Sequence, residues 1–211
     1  MIRRFLLMVL LAVVGGAAGF VMWDTHAGRT PPTLVAYGAV PPFTLIDHAG
    51  QAVSRDSLRG SVWVANFIFT RCAGQCPMMS AEMAQLATAI DREDAVKMVS
   101  FTVDPAWDTP EVLARYAQAY QAAPGQWHFV TGDQEAIWRL CREGFRLAVG
   151  DGDGTPQEPI THSVRVVLVD PAGIIRGTYD ATDAGARQRL RRDLQRLLRA
   201  HFTTSADADD R

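Results

Sequence analysis

Hydrophobic positions along this chain switch repeatedly between a period of two and a period near 3.6, and those switches predict its elements. "FTLIDHAGQAV" reads as two short strands with a turn at Asp47 to Gly50. "SRDSLRG" fits one helical turn. "SVWVANFIF" is β-rich and apolar at nearly every position, which predicts a central strand covered on both faces. Met79, Met83, Leu86 and Ile90 then recur at helical spacing, and "VKMVSFTV" is the next strand. "DTPE" predicts a helix start, with Asp108 as N-cap, Pro110 in the first turn and Glu111 at the capping-box position. Leu113, Tyr116, Ala117 and Tyr120 give that helix its apolar face. "WHFV" is a brief strand before a helix beginning near Asp133, and the glycine-rich "GDGDGTPQEPI" reads as a loop. "SVRVVLVD" and "GIIRGTY", joined across Asp170 to Gly173, predict a closing hairpin, and Leu190, Leu194, Leu197 and Leu198 stripe a last helix.

Strand and helix therefore alternate, the mark of an α/β layer fold. The order is a hairpin, a βαβ unit, a helix, antiparallel strands and a final helix. That order predicts a thioredoxin-like fold with an N-terminal β-hairpin and an inserted helix.

The two ends read differently. Arg3 and Arg4 precede an uncharged apolar run from Phe5 to Trp23, long enough to cross a bilayer as one helix. Residues 1–23 are thus expected to be an N-terminal transmembrane anchor or, with Gly16-Ala17-Ala18 as a cleavage site, a signal peptide. Either reading leaves the arginines in the cytoplasm and exports the rest, giving a single-pass inner-membrane protein with a periplasmic domain. Residues 24–36 read as a linker, 37–201 as the folded domain, and 202–211 as a disordered acidic tail.

Composition narrows the function. A formal charge of −2 over 211 residues argues against nucleic-acid binding. Three cysteines are too few for a disulfide framework, so a local pair is expected to serve chemistry. Cys72 and Cys76 form such a pair, in "FTRCAGQCPMMS", on the loop leaving the central strand and entering the helix that Pro77 opens. Strand C-terminal ends are where open α/β sheets place their sites, and a helix N-terminus stabilises a thiolate. A C-x-x-x-C spacing is wider than the C-x-x-C usual for thiol exchange and leaves room for a metal. His162 precedes a strand expected to pair beside the central one, so the loop carrying it should face the cysteines. Two thiolates and an imidazole form a soft, low-coordinate set suited to copper, especially Cu(I). A closed zinc site wants four ligands, and no fourth cysteine or histidine has suitable spacing.

"AYGAVPPFTLIDHAGQ", "VANFIFTRC", "CPMMS", "FTVDPAWDTPEVLARYA", "WHFVTG" and "THSVRVVLVDPAGIIRGTY" together resemble the Sco/SenC copper chaperones. The resemblance runs from about Tyr37 to Tyr179. It implies a membrane-tethered, thioredoxin-fold metallochaperone for the binuclear copper centre of cytochrome c oxidase, with Cys72, Cys76 and His162 as copper ligands. Between the cysteines "AGQ" departs from the proline and polar residue common in the family, and Gly74 loosens that loop. The rival reading is a thiol–disulfide oxidoreductase that uses Cys72 and Cys76 as a redox pair to keep acceptor cysteines reduced, so enzyme activity stays open. Peroxidase chemistry is disfavoured because Phe69 stands where a threonine or serine is required.

The remaining candidates read as structural. Cys141, Met79 and Met83 belong to apolar helical faces, whereas Met78 faces elsewhere. Asp104 and Asp108 should border the cysteine loop. "DGDG" at Asp151 is no EF-hand, because Pro156 and His162 occupy its glycine and carboxylate positions; it reads instead as a flap beside His162. His48, His128 and His201 lack a partner pattern, and six arginines from Arg187 to Arg199 coat the last helix.

Overall fold

The computed structural model describes residues 34–72, 74–90, 96–152 and 160–209, with backbone alone from 202 onward. The expected membrane anchor and most of the linker lie outside the described residues. Among these, no helix is long and apolar enough to cross a membrane.

The described residues form nine strands: β1 (Thr44–Asp47), β2 (Ala52–Ser54), β3 (Val62–Ile68), β4 (Val96–Thr102), β5 (Trp127–Thr131), β6 (Val149–Asp151), β7 (Ile160–His162), β8 (Arg165–Val169) and β9 (Ile175–Asp180). Among the described residues four α-helices accompany them: α1 (Gln75–Thr88), α2 (Pro110–Ala119), α3 (Gln134–Arg139) and α4 (Ala184–Asp209). One sheet of seven strands runs in the order β2-β1-β5-β4-β3-β8-β9. β3, β4 and β5 are parallel neighbours, while β8 joins β3 antiparallel, with Trp63 opposite Val169 and Asn66 opposite Val166. This is the thioredoxin-like arrangement expected from the element order.

Every residue of β3 is buried, as its two-faced apolar run requires. Phe67 stacks on Phe101 at 5.0 Å, and Phe145 meets Phe67 edge-on at 5.3 Å. Each large side chain buried this way contributes roughly 1.5–3 kcal/mol. A buried polar chain crosses the same sheet: Trp127 Nε1 donates to Ser100 Oγ, which donates to Asn66 Oδ1.

Two local expectations are corrected. The N-cap of α2 is Thr109, whose hydroxyl accepts from the Val112 N–H, and not Asp108, which is buried and turned toward the cysteine loop. Thr109→Ala is therefore expected to cost about 1 kcal/mol, a lowering of about 2–4 °C in a thermal melt. The glycine-rich stretch is not wholly a loop: β6 and β7 pair as a separate two-stranded sheet, with Val149 opposite His162. Val149 and Ile160 are each 9% exposed, and their burial anchors this ladder despite the flanking glycines. Helix α4 runs to Asp209, with no glycine or proline to interrupt it. His128, a strand residue as the "WHFV" pattern suggests, sets Nδ1 2.9 Å from Asp47 Oδ2 and braces β5 to β1.

Candidate metal centre

The central strand delivers the cysteines. After β3 the chain turns, the Cys72 N–H donating to the Phe69 carbonyl, and Gly74 caps α1. Cys76 is the second residue of that helix and fully buried, whereas Cys72 is half-buried. The β6–β7 hairpin delivers the third group. His162 ends β7, and its ring meets Phe69 edge-on at 5.4 Å. Its Nδ1 lies 3.1 Å from the Ser163 carbonyl, which can only accept, so Nδ1 donates to it. The Ser163 N–H in turn donates to the Ala148 carbonyl. Nε2 is thereby aimed at the sulfurs and sits 3.0 Å from Cys76 Sγ. One donor atom from each of Cys72, Cys76 and His162 falls within 4.8 Å of the others.

The two sulfurs differ in character. Burial raises the Cys72 thiol, but hydrogen bonds from the His162 ring, the Cys76 N–H and thiol, and the Gly74 N–H outweigh it and hold Cys72 down at about 6. Burial pushes the Cys76 thiol far above the usual thiol range, and the neighbouring Cys72 and Asp108 charges add to this. Cys72 is the thiolate and Cys76 the protonated partner. In the reduced, metal-free protein, iodoacetamide should modify Cys72 with a rate that rises through about pH 6 and then levels, while Cys76 stays unmodified near neutrality. Peptide mass spectrometry across a pH series reads both. Equal labelling of the two cysteines, or a midpoint near 9, contradicts the assignment.

A polar support lies beneath the loop. Asp108 accepts from the Thr70 N–H at 3.1 Å, from the Thr70 hydroxyl and from the Thr102 hydroxyl. Arg71 is clamped at 2.7 Å by Asp104, whose N–H donates to Thr102 Oγ1, and lies over the exposed Trp107 ring. Asp104 and Asp108 thus do border the cysteines, as the sequence led one to expect. The "DTP" motif gave no hint that Asp108 is the anchor, because aspartate and threonine are both good helix caps.

The other candidates fall outside the group. Cys141 is buried in a π-helical turn (Leu140–Gly144) that continues α3, its thiol facing the Leu147 carbonyl, and burial pushes it up to about 12. Met79 and Met83 are core residues, and Met78 is exposed. Among the described residues no fourth Cys, His, Asp or Glu joins the trio. The donor set fits a soft, low-coordinate ion such as Cu(I), and as free thiols the pair is also fit for thiol exchange.

A thioredoxin-like sheet whose central strand ends in C-x-x-x-C, with an imidazole brought onto the pair by a hairpin, defines a class of soft-metal or thiol-active domains. The sequence profile described as SCO1/SenC matches residues 33–199, and the chain belongs to that family. It is 36% identical over 146 residues to the SCO1 protein homolog of Bacillus subtilis (strain 168), an alignment covering 68% of this chain and 75% of that one. A solved structure of BsSco, described as a Sco-family cytochrome c oxidase assembly protein with a disulfide switch, superposes with a TM-score of 0.69 at 31% identity, covering 81% of this chain and 98% of that one. Copper-bound ScoI of Bradyrhizobium japonicum shares the fold, with a TM-score of 0.64 at 23% identity over 75% of this chain and 99% of its own.

Proposed function

We propose that this protein is a membrane-tethered copper metallochaperone. It binds one copper ion through Cys72, Cys76 and His162 and delivers it to, or prepares, the binuclear copper centre of cytochrome c oxidase. The observation that carries this reading is the trio itself: two sulfurs and one nitrogen from two separate elements, drawn within 4.8 Å of one another. Copper binding by a relative of the same fold and the assembly role of another are consistent with it. In this reading residues 1–23 anchor the chain in the inner membrane, 24–36 tether it, and the domain of residues 37–201 works on the periplasmic side. Copper leaves by ligand exchange, an acceptor sulfur or imidazole replacing one donor at a time, with no change in oxidation state.

Thiol–disulfide exchange on acceptor cysteines is the second reading. The unequal sulfurs favour it, because a thiolate at Cys72 can attack a disulfide and Cys76 can resolve the product. An oxidised pair cannot hold copper, so the two chemistries are alternative states of one site.

Titrating the reduced protein with Cu(I) against a competing chelator tests the first reading. About one ion should bind per chain, and none should bind tightly after Cys72→Ser or Cys76→Ser. Unchanged stoichiometry in both variants would sink the proposal.

A further inference from the structure

A cleft of about 380 Å³ opens at the foot of the β6–β7 hairpin, between the segment before β6 and the β8–β9 edge. That volume falls within the range of ligand sites. Phe145, Leu147 and Ile175 give it an apolar floor, and the half-exposed Tyr37 forms one wall. Its polar groups are the Ser163 and Thr178 side chains and two exposed cations, Arg146 and Arg165. Among the described residues no carboxylate lines it. Asp180 lies opposite Arg165 in the strand ladder and feels its charge, while its carboxylate also accepts from the Thr182 N–H and hydroxyl.

Arg146 is held in an unusual way. It ends the helical segment begun by α3 with a φ of +56°, the left-handed region that a side chain strains to enter and glycine enters freely. The neighbouring N–H groups of Phe145 and Leu147 close that helix end on Leu140 and Cys141. The guanidinium reaches toward Gly38, whose φ of +123° and missing side chain leave the approach open. The backbone thus carries a cation into the cleft at a position where glycine is the easier residue.

We propose that this cleft is a second binding site, for a carboxylate carried on an apolar or aromatic body. Arg146 and Arg165 take the carboxylate, Phe145, Leu147 and Tyr37 take the body, and Ser163 and Thr178 offer hydroxyls. Arginine pairs this way with carboxylates through two parallel hydrogen bonds. Ser163 links the cleft to the metal centre, because its carbonyl holds His162 Nδ1. A ligand braced against Ser163 therefore steadies the ring that faces the sulfurs. The site itself does not depend on copper.

The test uses the full-length, reduced, copper-free protein in a neutral detergent, followed by amide nitrogen–proton spectra. Probes are acetyl-Glu-Phe-Glu-amide, its Gln-Phe-Gln counterpart and benzoate. A carboxylate probe should saturably shift the Ser163, Arg165 and Thr178 amides, and the glutamine peptide should not. Saturation by the acidic peptide alone assigns the carboxylate to a protein partner; saturation by benzoate at equal or lower concentration assigns it to a small organic acid. Arg146→Gly is expected to raise the thermal midpoint, since it relieves the left-handed backbone, yet to weaken binding at least tenfold. Arg165→Gln should weaken it similarly. Absence of a saturable shift from either carboxylate probe, or binding undiminished in both variants, overturns the proposal. Copper titration of the same samples reports separately on the trio, so either reading can fail alone.

Discussion

His162→Ala is expected to lower Cu(I) affinity by more than about 100-fold while leaving thiol exchange at Cys72 in place. Losing only a hydrogen-bond partner of a ligand typically costs 10–100-fold in metal affinity, and here the ligand itself goes. The imidazole stands 3.0 Å from Cys76 Sγ and supplies the only nitrogen of the trio. Without it two sulfurs remain, one of them strongly disposed to keep its proton because it is buried. The variant should fold, since His162 is only partly buried at the end of a three-residue strand. Chelator competition measures the affinity, and reaction with an aromatic disulfide measures the thiol. Retained copper affinity would mean that the cysteines bind without the ring. Full function of the variant in cells, with cytochrome c oxidase assembled normally, would favour the oxidoreductase reading over the chaperone.

Asp108→Ala should destabilise the domain by about 3 kcal/mol, because it strands the Thr70 N–H, the partly buried Thr70 hydroxyl and the buried Thr102 hydroxyl at once. For a chain of this size that is a lowering of about 6–12 °C in thermal midpoint. Copper affinity should also fall, by about tenfold, because Thr70 positions the loop that leads to Cys72. Asp108→Asn separates charge from packing. Burial raises the Asp108 pKa above its ordinary 3.8, with bonds from Thr102 and Thr70 opposing and Asp104 reinforcing. A raised carboxyl pKa in the fold contributes stability that is complete below 3.8 and is lost as pH rises through the folded value. The asparagine variant lacks that titration. The stability gap between it and the wild type should therefore be widest below pH 3.8 and narrow as pH rises, which urea melts at several pH values can follow. A constant gap would assign Asp108 a purely steric role.

Much of this was legible in the chain. The apolar run of β3, the helical spacing of Met79, Met83 and Leu86, and the Asp170 to Gly173 turn each report a local periodicity or a turn preference, and both are written in neighbouring residues. The metal candidate was legible as well, because a C-x-x-x-C pair at a strand end has few other uses and His162 precedes a strand whose place beside β3 follows from the topology. Other features carried no local signal. Asp108 and Thr109 can both cap a helix, and only the Thr70 and Thr102 groups above Asp108 decide which one does. Asp47 and His128 meet across 81 positions of sequence, and nothing near either residue announces the other. The β6–β7 pairing hid behind glycine and proline, since it is held by burial of Val149 and Ile160 and not by strand propensity.

The sequence by itself determined the α/β order, the strand that ends at the cysteines and the residue types of a soft-metal or redox site, because each depends on contacts between near neighbours. Tertiary structure alone decided that Cys72 is the thiolate and Cys76 the protonated thiol, that Asp108 anchors the loop, and that His162 turns Nε2 toward sulfur. Those outcomes depend on burial and on donors drawn from distant segments, and a linear chain encodes them only after it has folded.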